Sequence, residues 1–262
     1  MSARVLIVRT AGTNCDAELA HAFERAGAAP ALVHLNTLTG EPNRLADYDI
    51  LGFPGGFSYG DDIAAGRIMA NRVRRRLMPA IRAFVAAGKP IIGICNGFQV
   101  LVKAGLLPGF NDGDGDGDAA PPQVATLSDN ALPRFVDRWV DVRVEPGSRC
   151  LWTRGLERFP MAIAHGEGRF DAPDGVLDRL EADGQVALRY ENNPNGSARD
   201  IAGVCDPTGL ILGLMPHPER DVAATHRPDW TRRGADDAAD AVPAGARMIA
   251  NAVNHVAEAA PA

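Results

Sequence analysis

Hydrophobic and polar positions in the first hundred or so residues alternate between two rhythms. Short, unbroken apolar runs occur in "RVLIVR" at 4–9, "ALVHL" at 31–35, "DILGF" at 49–53 and "PIIGI" at 90–94. Strands read this way when helices cover both faces of a parallel sheet. Between the runs lie segments with helical spacing. In "AELAHAFERAG" the residues Leu19, Phe23 and Ala26 share one face, and Gly27 is a plausible stop. Helical material is expected over 63–87, and a further helix over 96–104. This alternation predicts a doubly wound α/β sheet with its ligand site at the carboxyl ends of the strands. Two unusual loops, 54–62 and 95–99, begin at such ends.

Beyond residue 122 the rhythm changes. Strand-like pieces at 138–145, 160–165, 185–190, 201–205 and 210–215 are separated by turn signals such as "DPTG". A closing helix is expected over 245–259, where Met248, Ala252 and Val256 recur every fourth position. The pattern predicts a single-domain, mostly parallel sheet with a more antiparallel extension in its second half. The Asp- and Gly-rich segment 111–122 stands apart from both rhythms. Asp112, Asp114, Asp116 and Gly117 match the first half of a calcium loop, but the twelfth position is Gln123 and Pro121 and Pro122 precede it. A bidentate glutamate belongs at that twelfth position, so an acidic surface loop is expected and no metal site.

Composition narrows the function classes. Of 262 residues, 46% are hydrophobic and 23% charged, the balance of a globular chain long enough to bury a core. A formal net charge of −6 offers no broad attraction to a polyanion, so nucleic acid is not an expected partner. The cluster Arg72, Arg74, Arg75 and Arg76 is the basic exception and reads as the solvated face of a helix. No apolar run approaches the ~18 residues that cross a bilayer, and the N-terminal run is too short for a signal peptide. A cytoplasmic protein is expected. The cysteines at 15, 95, 150 and 205 lack C-x-x-C spacing and are expected to be reduced.

One of them sits in a distinctive frame. Gly93, Ile94, Cys95, Asn96 and Gly97 place a thiol where a central strand meets the next helix, the frame of a nucleophile elbow. The flanking glycines leave room in so tight a turn. A sulfur at a helix N-terminus faces unpaired N–H groups, which stabilise negative charge there. The N–H of Asn96 points toward the oxygen of any carbonyl the sulfur attacks, and Gly55 and Gly56 are candidates for the other half of an oxyanion hole. A base is available in "GLMPHPER", where His217 follows a predicted strand and Glu219 lies two positions on. In extended geometry both side chains point the same way, so the carboxylate can orient the imidazole. Cys95, His217 and Glu219 thus point to nucleophilic attack on a carbonyl.

With these residues in view, "GICNGFQ" and "PHPE" resemble the signatures of class I, triad-type glutamine amidotransferases. "PGGFSYGDD", "AHGEGRF", "NPNGS" and "DIAGV" are similar, more narrowly, to the glutaminase subunits of phosphoribosylformylglycinamidine synthases. The resemblance implies one amidotransferase domain over 1–262, lengthened by insertions at about 111–122 and 222–244. It implies that Cys95 forms a γ-glutamyl thioester, and that Phe57, Gln99, His165 and Gly166 help position glutamine. It further implies a synthetase partner that carries ATP and magnesium, with a third small subunit in many such complexes. No cofactor is expected in this chain, which has no G-x-x-x-x-G-K-[ST] loop. The alternatives are a glutaminase subunit of another amidotransferase, a different cysteine-elbow hydrolase and a non-catalytic binding module. "PHPE" argues against the second, and the intact Cys95, His217 and Glu219 against the third.

Overall fold

A computed structural model of the chain describes residues 2–110, 122–232 and 242–259. The apolar runs form a nine-stranded sheet in the order β2-β1-β3-β4-β11-β10-β9-β6-β7. Its parallel half consists of β1 (Arg4–Arg9), β2 (Ala29–His34), β3 (Ile50–Phe53), β4 (Ile91–Ile94) and β11 (Ile211–Leu214). The antiparallel half is β10 (Ile201–Cys205), β9 (Val186–Tyr190), β6 (Val136–Val144) and β7 (Arg158–His165). Residues of β3, β4 and β11 are all buried, as expected of strands covered on both faces. One continuous apolar core joins the two halves.

The expected antiparallel extension is present, with one correction: the run at 210–215 belongs to the parallel half. β11 lies beside β4 in register, Ile91 opposite Ile211 and Ile94 opposite Leu214. Apolar periodicity marks a strand but carries no record of its neighbour. The consequence is functional, because parallel pairing brings the residues after Ile94 and those after Leu214 out on one edge of the sheet.

The helices α1 (Asp16–Arg25), α2 (Leu35–Gly40), α3 (Arg67–Arg76), α4 (Met78–Ala86), α5 (Asn96–Lys103), α6 (Asp174–Ala182) and α7 (Ala244–Ala259) cover the sheet. The expected helical stretch 63–87 is two helices broken at Leu77. Pro79 stands at the start of α4, where its missing N–H is tolerated but a continuous helix is not. Arg72 does not belong to a purely solvated face: it donates to Asn36 Oδ1 and the Tyr59 hydroxyl, both at 2.6 Å, tying α3 to α2. Sequence reading missed α2 and α6, as well as a small antiparallel pair of β5 (Thr126–Ser128) and β8 (Arg169–Asp171).

Helix α5 is held unusually close to the sheet. A Cβ on Gly93 would meet Leu101 Cδ1 at 2.5 Å, one on Gly97 would overlap the Phe53 carbonyl, and one on Gly213 the Phe98 ring. These glycines make the close approach possible, so every residue from Asn96 to Val102 is buried. Burial of Phe98, Val100, Leu101 and Val102 contributes about 1.5–3 kcal/mol each. That outweighs the roughly 1–3 kcal/mol of a strained backbone residue at the head of the helix.

The segment after β11 is anchored at buried Asp221. Its carboxylate accepts two bonds from Arg227, at 2.9 and 3.0 Å, and its carbonyl accepts from Ala246 in α7. The acidic segment at 111–121 and residues 233–241 of the expected second insertion lie outside the described residues. Among the described residues, no helix is long and apolar enough to cross a membrane.

Candidate active site

Cys95 is the residue at which β4 turns into α5, and its backbone has φ 51° and ψ −105°. A side-chain-bearing residue is strained there, and the strain projects the thiol over the carboxyl edge of the sheet. The turn is clamped from both sides. Cys95 N–H donates to the Leu214 carbonyl at 2.8 Å, and the Cys95 carbonyl accepts from Gln99 N–H at 3.1 Å. The thiol itself lies 3.6 Å from the Ala164 carbonyl at the end of β7. Gly93 and Gly97 are required as the sequence frame implied, although for helix-to-sheet packing as much as for the bend.

His217 emerges three residues beyond β11. Its N–H donates to the Ala162 carbonyl of β7 at 2.9 Å, which fixes the backbone, and its Nδ1 lies 2.6 Å from Glu219 Oε1. The expected pairing is present, but not through extended geometry. Pro218–Arg220 is a 3-10 turn that folds Glu219 back onto the ring. Both side chains are almost completely buried. Burial pushes the imidazole down, but the Glu219 carboxylate, with the thiols of Cys15 and Cys95 in reach, outweighs it and holds His217 well above the ordinary histidine range. Nδ1 is committed to the carboxylate, whereas Nε2 is buried without an aligned hydrogen bond.

Gly55, Gly56 and Phe57 follow β3. Their loop is laced to the loop after β1: Gly55 O accepts from Asn14 and Cys15, while Phe57 and Tyr59 N–H donate to Gly12 and Ala11. A Cβ on Gly55 would meet His217 Cε1 at 3.0 Å, and Gly56 has φ +138° with no room beside Gly12 and Asn14. Only glycine permits that backbone so close to the imidazole. Asn96 opens α5, where the first N–H groups have no partner within the helix. Its buried side chain accepts from Ser58 N–H at 3.2 Å and donates to Gln99 Oε1 at 2.9 Å.

A cavity of about 580 Å³ brings Cys95, His217, Gly56, Phe57, Gln99, His165 and Gly166 together. Gln99 has both ends engaged, since its Nε2 donates to the Glu167 carbonyl at 2.5 Å. It braces the wall that carries His165 and Gly166. Phe57 is half-exposed at the rim, tilted against Phe135 with ring centroids 6.4 Å apart. His165 is buried, and its Nδ1 lies 3.0 Å from Asn130 Oδ1. Asn130 Nδ2 donates to two carbonyls and its Oδ1 also accepts from Gly168 N–H, so that oxygen is an acceptor and Nδ1 carries the proton. Burial, with the neighbouring His217, lowers His165 to about 4. The ring is therefore neutral, and its Nε2 is a buried acceptor without a hydrogen-bond partner.

Asn130, Asp61, Glu167 and Cys15 were not singled out from the sequence. Asp61 accepts from Gly66 N–H and Asn96 Nδ2, and burial raises its carboxyl. Cys15 lies in the loop after β1, another strand end, and that position was the available signal. Its Sγ, a His217 ring nitrogen and a Glu219 oxygen all lie within 4.8 Å of one another. A buried thiol and an imidazole oriented by a carboxylate on one cavity, beside a glycine loop, are an arrangement suited to acyl transfer from an amide.

Comparison with known proteins agrees with this chemistry. Residues 2–256 match the family model of the CobB/CobQ-like glutamine amidotransferase domain. A phosphoribosylformylglycinamidine synthase subunit PurQ of Dehalococcoides mccartyi is 44% identical over 258 residues, covering 95% of this chain and 96% of the relative. The subunit of the same name from Treponema denticola is 44% identical, covering 87% of this chain and 91% of its own. Among solved structures, a chain in the structure of PurLQS from Thermotoga maritima aligns with a TM-score of 0.72 at 32% identity, covering 97% of this chain and 99% of that one. The chain belongs to the CobB/CobQ-like glutamine amidotransferase family.

Proposed function

We infer that this chain is the glutaminase subunit of a phosphoribosylformylglycinamidine synthase. It hydrolyses glutamine and delivers the ammonia to a synthetase subunit, which converts formylglycinamide ribonucleotide to the amidine in de novo purine synthesis. The reading rests on relatives of that name along nearly the whole chain. It rests equally on one observation of geometry, Cys95 and His217 lining the same cavity from adjacent strand ends, with Glu219 hydrogen-bonded behind the ring.

In the proposed reaction Cys95 sulfur attacks the side-chain carbonyl carbon of glutamine. The carbonyl electron pair moves onto oxygen, which the N–H groups of Asn96 and the Gly55–Gly56 loop stabilise. His217 Nε2 carries the thiol proton to the departing nitrogen, the C–N bond breaks, and ammonia leaves a γ-glutamyl thioester. Water then attacks the thioester, His217 takes its proton, and the C–S bond breaks to give glutamate and free thiol. Glu219 stabilises the protonated ring throughout. The neutral His165 supplies an acceptor suited to the substrate's amide or ammonium hydrogens, while Gln99 and Gly166 shape the wall.

Ammonia in water at neutral pH is mostly protonated and a poor nucleophile, so a docked partner gives the product its use. ATP, magnesium and the ribonucleotide are assigned to that synthetase, which in many such complexes is accompanied by a third small subunit, and no cofactor is assigned to this chain. The test is glutamine hydrolysis by wild type and Cys95→Ala, with intact mass spectrometry of the quenched reaction. A γ-glutamyl adduct on residue 95 of wild type and no hydrolysis by the variant are expected. Unchanged ammonia release by Cys95→Ala would overturn the assignment.

A further inference from the structure

The arginines of α3 take no part in the reaction just described. Arg72, Arg75 and Arg76 stand three and four residues apart, so they share one face of the helix. With Asn36 and Thr39 of α2 and Asn71 of α3 they line a second cavity, of about 470 Å³, a size ordinary for a small-molecule site. It shares no lining residue with the cavity that holds Cys95. Among the described residues no carboxylate lines it. Arg75 and Arg76 are exposed and make no ion pair among the described residues, although the chain carries 33 acidic residues against 27 basic ones. Arg72 is fixed by neutral oxygens alone. Its Nη1 donates to Asn36 Oδ1 and the Tyr59 hydroxyl, each at 2.6 Å, and its Nη2 donates to Thr39 Oγ1 at 3.2 Å. Those bonds leave the Nε–H and one Nη2–H free to donate.

Like charges three and four residues apart on a helix repel one another, and a carboxylate neighbour would offset that. The last turn of a helix favours a positive charge, which accounts for Arg75 or Arg76 taken singly. It does not account for three unpaired guanidinium groups on one cavity. An anion bound there relieves the repulsion. Guanidinium groups hold phosphate oxygens through paired N–H donors, and Asn36, whose oxygen is taken by Arg72, keeps its amide N–H groups as neutral donors beside them. Arg72 and Arg76 are about 6 Å apart along the helix axis, a span that two linked phosphates cover and a single carboxylate does not. We propose that Arg72, Arg75 and Arg76 bind the diphosphate group of a small molecule such as a nucleoside diphosphate. The site borders the catalytic loop, because the Tyr59 held by Arg72 lies two residues after Phe57 and its N–H donates to the Ala11 carbonyl.

The test titrates the full chain with inorganic pyrophosphate, and separately with ADP, in a calorimeter with magnesium-free buffer of low ionic strength. One site per chain is expected. Arg75→Ala and Arg76→Ala should each weaken pyrophosphate by about tenfold. Arg72→Lys keeps the charge but loses the planar fork, and it should weaken binding as well. Arg25→Ala removes one exposed positive charge at the end of α1, away from this cavity, and should leave the affinity unchanged. Tighter binding of ADP than of pyrophosphate would support a nucleotide as the ligand, and equal or weaker binding would support recognition of the phosphate chain alone. No binding of pyrophosphate, or the same loss in Arg25→Ala as in Arg75→Ala, would overturn the proposal. So would a hexaglutamate peptide that binds more tightly than either phosphate ligand, since it would mark a docking face for an acidic protein segment. None of these titrations depends on turnover, so an inactive glutaminase would leave the proposal standing.

Discussion

The His165 imidazole couples stability to pH in a way that can be worked from the structure. Its ordinary value of 6.5 falls to about 4, first because the ring is buried and second because His217 is charged beside it. In the unfolded chain the ring takes a proton below about pH 6.5, whereas in the native chain it stays neutral down to about pH 4. Between those values the unfolded state binds more protons, so stability falls as pH falls. At about 1.4 kcal/mol per tenfold, the full displacement corresponds to roughly 3 kcal/mol, of which roughly 2 kcal/mol is lost by about pH 5. Above pH 6.5 both states are neutral at this position and the contribution is constant. The comparison variant is His165→Asn, whose amide nitrogen stands near the place of Nδ1 and keeps the bond to Asn130 Oδ1. Urea unfolding of both proteins at pH 7 and pH 5 should show the wild type losing about 2 kcal/mol more than the variant. Carboxylates common to both proteins cancel in that difference. Identical losses would refute the neutral, buried imidazole and with it the assignment of Nε2 as an acceptor.

Two further outcomes follow from the same geometry. Glu219→Gln removes the carboxylate that stabilises the protonated His217 ring, and steady-state kinetics should show kcat lower by about 10²–10⁴-fold; an unchanged kcat would remove Glu219 from the mechanism. Gly97→Ala forces a methyl group into the Phe53 carbonyl, a backbone group that cannot rotate away. The cost should be about 3 kcal/mol, seen as a Tm roughly 6–12 °C lower, and a variant as stable as wild type would show that α5 can lift from the sheet.

Local patterns determined a good deal. The unbroken runs in β1, β3 and β4 are buried parallel strands, the glycines around Cys95 frame a strained turn, and Glu219 lies on His217 as the His-Pro-Glu spacing suggested. Each of these depends on residues within a few positions of one another, where sterics and periodicity act directly. Pro79 also carried the break between α3 and α4, a signal present in the sequence but not used.

Tertiary structure decided the rest, because it concerns which distant segments meet. Periodicity could not say that β11 lies parallel to β4, the pairing that sets His217 beside Cys95. It could not place Cys15, in the loop after β1, against an imidazole some two hundred residues away, a juxtaposition created by strand order and by glycines that let three loops converge. Nor could it give His165 its protonation state, which comes from burial and from Asn130 across the cavity wall. Sequence carries what neighbours along the chain impose on one another; charge state and cross-chain contact arise only once the sheet has closed its strands into one order.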